Sequence, residues 1–365
     1  MNLLIDAHTD LAYNILRYRR DYARSAAHIR AAEKDNPASA DTLAETETAT
    51  LGWEDYQRGN IAVIFSTLFA LPARWNHSEN LRQVYKTFDE AHRICREQLD
   101  VYRRLTDSTP QRFRLIGSQS ELQSHLAQWN AAAENRPVGL IPLMEGAEAI
   151  RSINELEEWR ELGLRIIGPA WVGTRYSGGW REPGALTADG RKLLAAMAEF
   201  NFILDISHMD ELAALQALDE YRGSLYATHG TCLSLLPNVN SNRFFSDRVI
   251  EKIIERDGVI GVAPYNAYLK AGWTAGKNSR AEVPLDVVAN HLDHICQIAG
   301  DALHAGIGSD FDGGFGLESI PDGMDTIADL QKISAPLQAR GYSAADIENI
   351  LGGNWLARLR RDLPK

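Results

Sequence analysis

Short apolar runs, rich in β-branched residues and leucine, recur eight times along the chain: Leu3–Ala7, Ile61–Ser66, Val138–Leu143, Leu164–Pro169, Phe202–Ser207, Leu225–Thr228, Gly258–Ala263 and Ala305–Ser309. Brief runs of this kind, bounded by turn residues, are the pattern of parallel strands buried on both faces. Between most of them lie longer stretches of helical periodicity, such as Arg191–Phe200, Met209–Tyr221, Asp247–Arg256 and Pro284–Ile298. The alternation predicts repeated βαβ units of an α/β protein, and eight such units predict a closed (β/α)8 TIM-like barrel. A doubly wound open sheet is the second topology compatible with the pattern.

The 365 residues exceed a plain eight-fold barrel by roughly a hundred, which predicts a single domain over 1–365 with insertions. Asp21–Glu54, rich in Ala, Asp, Glu and Thr, is expected to be a helical insertion between the first two strands. Arg175–Asp189, with Gly178, Gly179 and Pro183, is expected to be a long loop of the kind that lines barrel active sites. A chain that is 45% hydrophobic can fill a sizeable core. Its formal net charge of −11 excludes a nucleic-acid partner, which would need a concentrated basic surface. No apolar stretch of about twenty residues predicts a membrane span, and the N-terminus has no basic, then apolar, leader pattern. Cys95, Cys232 and Cys296 are distant from one another and odd in number, which argues against a disulfide framework and places the chain in a reducing cytoplasm.

Charge and composition leave the chemistry open; position does not. His8 and Asp10 follow the first predicted strand, Glu145 the third, His208 the fifth, His229 the sixth and Asp310 the eighth. The C-terminal strand ends are where barrel enzymes carry their chemistry. In an extended segment the i and i+2 side chains share a face, so His8 and Asp10 can reach one ion. Imidazole and carboxylate donors suit zinc. Three histidines and three carboxylates exceed what one tetrahedral ion uses, which favours two metals with Glu145 as the bridging carboxylate. Read singly, Glu145 is equally a helix-start carboxylate and His208 a core histidine; together at five strand ends the candidates point to a metal centre. His28, His77, His92 and His125 are expected on the surface, and His291 and His294 lack further ligands from a strand end.

Asp6-Ala7-His8-Thr9-Asp10, Met144-Glu145-Gly146, Asp205-Ile206-Ser207-His208 and Gly308-Ser309-Asp310-Phe311-Asp312-Gly313 together resemble the renal (membrane) dipeptidase family, peptidase family M19 of the amidohydrolase superfamily. The likeness runs from about Ile5 to Leu359 and includes the closing Gly353-Asn354-Trp355-Leu356. It implies a metallo-dependent hydrolase barrel with two Zn2+ per chain: His8 and Asp10 on one ion, His208 and His229 on the other, and Glu145 bridging. It further implies that a hydroxide between the ions attacks the scissile carbonyl, that Asp310 handles the water proton and passes it to the leaving amine, and that Arg243 holds the substrate C-terminal carboxylate. Asp312 is expected to be structural. One position departs from the family: Trp171, in Gly168-Pro169-Ala170-Trp171, stands where the family carries a histidine that polarises the carbonyl. An indole offers only an N–H and an aromatic face, which leaves carbonyl polarisation to the metals or to a donor such as Arg175 or Tyr176; Trp171 and Tyr176 are the expected substrate-lining residues.

The expected activity is zinc-dependent hydrolysis of a dipeptide, with tolerance for a D-residue on the C-terminal side, as the family often shows. A binuclear amidohydrolase acting on N-acyl amino acids or cyclic amides is the alternative, and an inactive metal-binding barrel is a further one. The partner is a small dipeptide-like molecule, without membrane or nucleic acid, and the family resemblance allows a homodimer.

Overall fold

The computed structural model of the protein describes residues 1–34, 36–131 and 136–365. Eight parallel strands form a closed barrel: Leu4–Thr9, Ile61–Phe69, Val138–Glu145, Ile166–Gly168, Ile203–Asp205, Leu225–Gly230, Ile260–Val262 and Ala305–Ile307. Each strand pairs the next one in chain order, and the ring closes where Asp6 of the first strand faces Ile307 of the eighth. The open-sheet alternative is thereby excluded. Every residue of these strands is buried, which is why they are mostly apolar on both faces rather than alternating. A further short strand, Phe113–Leu115, pairs the beginning of the third barrel strand on the side where the fourth strand pairs its end.

The four expected helices form at Ala188–Glu199, Glu211–Glu220, Asp247–Glu255 and Leu285–Ala299. Their starts follow capping chemistry. The side-chain oxygens of Thr187, Asp210 and Ser246 accept from the backbone N–H groups of Gly190, Leu212 and Val249. Between the first two strands stand the helices Leu11–Tyr18, Ala26–Lys34, Ala40–Thr46 and Trp53–Arg58. From Pro169 to Thr187 the chain makes no helix or strand beyond isolated bridges. No helix among the described residues is long and apolar enough to cross a membrane.

Beneath the site, Trp355 donates its indole N–H to Ile307 O at 3.0 Å and packs edge-on to Phe65 and Tyr226. Asn354 donates to the carbonyls of Ala302 and Ala305, each at 2.7 Å. The closing Gly-Asn-Trp-Leu motif thus seals the barrel against its eighth strand. Closure also needs backbone contact: a Cβ on Gly261 or Gly308 would lie 2.0 or 1.8 Å from Thr228 O, so only glycine lets the seventh and eighth strands press against the sixth there.

Candidate metal centre

The C-terminal mouth of the barrel brings the six predicted ligand-type residues together. His8 Nε2 lies 3.9 Å from Asp10 Oδ2, 3.6 Å from Glu145 Oε2 and 3.7 Å from Asp310 Oδ1. Glu145 Oε1 lies 2.7 Å from His208 Nε2 and 3.6 Å from His229 Nε2, and the two imidazole Nε2 atoms are 2.7 Å apart. His8, Glu145 and His229 offer ligand atoms all within 4.8 Å of one another, as do His8, Asp10 and Asp310. Glu145 therefore stands between the two groups of donors, one oxygen toward each.

Local structure explains how they converge. His8 and His229 lie inside their strands and Glu145 ends its own, while His208 and Asp310 project from turns in which both adopt left-handed backbone, with φ of 63° and 57°. Non-glycine residues seldom adopt that region, and such strain concentrates at functional sites. Two buried carboxylates brace these turns. Asp6 accepts from the backbone N–H of Ser309 at 2.6 Å and from its hydroxyl, fastening the first strand to the turn before Asp310. Asp205 Oδ1 accepts from Ser207 N at 3.1 Å, Ser207 Oγ at 2.7 Å and Thr228 N at 2.9 Å, and Oδ2 accepts from Thr228 Oγ1 at 2.6 Å. Thr228 Oγ1 is in turn 3.1 Å from His229 Nδ1, and the Thr67 hydroxyl donates to Asp10. Sequence reasoning gave no role to Asp6, Asp205, Thr67 or Thr228; the one available signal was that Asp6 and Asp205 share motifs with His8 and His208.

The electrostatics call for a cation. Burial, followed by the charge of Glu145, pushes Asp10 up to about 6. Burial and the nearby Asp10 raise Asp310 further, against the pull of His8. Burial works to lower His8, yet the charge of Glu145 and the other carboxylates lifts it to about 10. Burial, then the charge of Arg243, lowers His208 to about 3; burial and then the charge of His8 lower His229. Clustered carboxylates that favour a positive neighbour, beside His208 and His229 held neutral, are a donor set a divalent metal completes. The buried His8 Nε2, which faces Asp10, Glu145 and Asp310, has no hydrogen-bond partner among the described residues, a cost that coordination would remove. The residues present fit a bound metal.

A cavity of about 580 Å³ opens over this cluster. Trp171 is on its wall, with Phe69 at 4.9 Å and His208 at 6.3 Å between ring centroids. Arg243, 1% exposed, donates to His229 O at 3.4 Å, and its guanidinium sits 4.8 Å over Tyr268. Its Nε and Nη2 have no partner among the described residues, and it adjoins the cavity through Tyr268 rather than lining it. Tyr268 also lines the cavity, and no motif marked it. Tyr176 corrects the expectation: its hydroxyl donates to Ile150 O and accepts from Arg175, and neither residue lines the cavity. Arg175 spends the same nitrogen on the carbonyls of Ile150 and Arg151. His125 is likewise corrected. It is fully buried, with Nε2 2.9 Å from Ala62 O, a core histidine satisfied by backbone. Asp312 accepts from Thr50 N and Thr50 Oγ1, both at 2.7 Å, and from Tyr22 OH at 2.8 Å, and it pairs Arg20 at 3.3 Å. It ties the 21–54 segment to the end of the eighth strand.

The model of the membrane dipeptidase family (Peptidase family M19) matches residues 2–362. Dipeptidase tcpJ of Claviceps purpurea (strain 20.1) is 27% identical over 273 residues, 72% of this chain and 59% of that protein. The crystal structure of the dipeptidase AC, a metallo peptidase of family M19, superposes with a TM-score of 0.76 at 25% identity, covering 99% of both chains. A metallo peptidase from Rhodobacter sphaeroides, liganded with a phosphinate mimic of the dipeptide L-Ala-D-Ala, superposes with a TM-score of 0.76 at 24% identity, over 99% of this chain and 100% of that one.

Proposed function

The chain belongs to the membrane dipeptidase family (Peptidase family M19), and from that membership we propose that it is a zinc-dependent dipeptidase. It is a metal-dependent hydrolase; the metal, the roles of individual residues and the substrate are what the proposal adds. The observation that carries it is the position of Glu145, with one carboxylate oxygen beside His8 and the other beside His208 and His229.

In this reading His8 and Asp10 would hold one Zn2+ and His208 and His229 the other, with Glu145 shared between them; the paired ions would supply a lowered water pKa and a polarised carbonyl. The chain's own residues do the rest. Asp310, at 3.7 Å from His8 and on the cavity wall, takes the attacking water's proton and returns it to the leaving amine. Arg243 offers its unpartnered donors to the substrate C-terminal carboxylate, a task suited to a planar fork. With Arg175 and Tyr176 bound elsewhere and Trp171 aromatic, neither of the two donors expected from the fourth-strand loop polarises the carbonyl. The leaving residue takes L or D configuration, in line with the mimic bound by the Rhodobacter sphaeroides peptidase. The buried free thiols of Cys95, Cys232 and Cys296 support a reducing, cytoplasmic setting.

The test is hydrolysis by the zinc-loaded protein, with L-Ala-L-Ala and L-Ala-D-Ala set against N-acetyl-alanine. Release of free alanine from the dipeptides supports the reading; turnover of the N-acyl compound alone overturns it in favour of a different amidohydrolase.

A further inference from the structure

The mouth of the barrel is divided by chemistry. Arg243, Tyr268 and Asp310 follow the sixth, seventh and eighth strands, which are neighbours in the ring. On the arc of the first, second and fourth strands the cavity carries the rings of Tyr13, Phe69, Trp75, Trp171 and Trp180 beside the polar Asp10, Asn76, His77 and Ser78. These rings are continuous: Tyr13 to Phe69 at 5.2 Å, Phe69 to Trp171 at 4.9 Å and Trp171 to Trp180 at 6.4 Å. Arg181 bridges the last gap, its guanidinium 4.1 Å over Trp180 and 4.7 Å over Trp75. The other cation on this arc, Arg17, is spent: it pairs Glu45 at 2.8 Å and donates to Arg82 O at 2.6 Å.

If Arg243 holds the C-terminal carboxylate and the scissile carbonyl lies over Glu145, the residue on the acyl side of the bond faces the aromatic arc. We infer that the aromatic wall of Phe69, Trp171 and Trp180 is a specificity pocket for the acyl-side residue, selecting a large apolar or aromatic side chain. This rests on the dipeptidase reading and goes beyond it, because it assigns Trp171 a positive role: the indole gives up carbonyl polarisation and supplies a face for ring packing instead. Aromatic pairs at these centroid separations are favourable. A carboxylate side chain there would be desolvated among the rings of Phe69 and Trp171.

The experiment compares kcat/KM of the zinc-loaded enzyme for Phe-Ala, Ala-Ala, Glu-Ala and Ala-Phe. Phe-Ala is expected to exceed Ala-Ala by about tenfold or more, with Glu-Ala slowest and Ala-Phe close to Ala-Ala. In Trp171→Ala the Phe-Ala to Ala-Ala ratio is expected to fall toward one through a higher KM for Phe-Ala. Trp180→Leu, measured in parallel, must lower the same ratio and keeps the test decisive where Trp171→Ala fails to fold. Equal rates on the four dipeptides, or a gain for Ala-Phe matching that for Phe-Ala, overturn this inference and leave the dipeptidase reading standing. No turnover of any of them overturns both.

Discussion

Replacing Asp205 by asparagine tests whether the metal ligands are oriented by the network behind them. Asp205 is 1% exposed and accepts four hydrogen bonds, three of them on Oδ1. An asparagine with its carbonyl oxygen at the Oδ1 position keeps those three. Only the bond from the Thr228 hydroxyl is reversed, because the new amide must donate where a carboxylate oxygen accepted. That hydroxyl now donates to Asp205, so its oxygen is free to accept from His229 Nδ1–H, 3.1 Å away, which leaves Nε2 with its lone pair toward Glu145 and the metal. In Asp205→Asn the hydroxyl donates to Nδ1 instead, and the proton moves to Nε2, the atom meant to ligate. The fold should survive: the change costs one neutral hydrogen bond, about 1 kcal/mol, or a fall of about 1–2 °C in Tm for a chain of this size. Zinc affinity should fall by about 10- to 100-fold, read by competition with a chromophoric chelator. Asp205→Ala, by contrast, strands two buried backbone donors at about 1–3 kcal/mol each and should destabilise the fold itself. An Asp205→Asn protein that melts as the wild type and holds zinc within about threefold of it would refute the reasoning.

Asp310→Asn should retain zinc in elemental analysis while kcat falls by about 10²- to 10⁴-fold, the usual worth of a positioned acid–base group. Arg243→Lys should raise KM for dipeptides by about tenfold or more with a smaller change in kcat, because the lysine loses the bidentate fork; steady-state kinetics separates the two constants. Asp312→Ala removes one of the two carboxylate partners of buried Arg20, which keeps Glu33, and strands Thr50 N and Tyr22 OH. It should cost about 1–3 kcal/mol, seen as a lowered Tm and as proteolytic cuts within 21–54 at temperatures where the wild type resists.

The barrel was legible because strands buried on both faces must be apolar throughout, and Val138–Glu145 or Ile61–Phe69 has little other use for such a run. His8, Asp10 and Glu145 were legible for a related reason: a charged or ligating side chain at the end of a buried strand has few structural excuses. What stayed hidden depends on contacts between distant segments. His125 reads as a polar helix position until the carbonyl of Ala62 lies beside it. Tyr176 sits three residues before Gly179 in a loop whose sequence does not say which way a hydroxyl points, and in the fold it turns to Ile150. The left-handed turns at His208 and Asp310 are imposed by Asp205 and Asp6 from behind, so neither residue reveals its conformation alone. Trp180 reaches the cavity from the loop after the fourth strand and Tyr268 from the short helix Asn266–Leu269 after the seventh.

The most direct test of the account is the zinc content of the purified protein after incubation with excess zinc and desalting, measured beside Glu145→Ala. Close to two zinc equivalents per chain are expected in the wild type and a marked loss in the variant, since Glu145 lies beside both groups of candidate ligands. A wild type that takes up no zinc, or a Glu145→Ala protein that keeps the full complement, would contradict it.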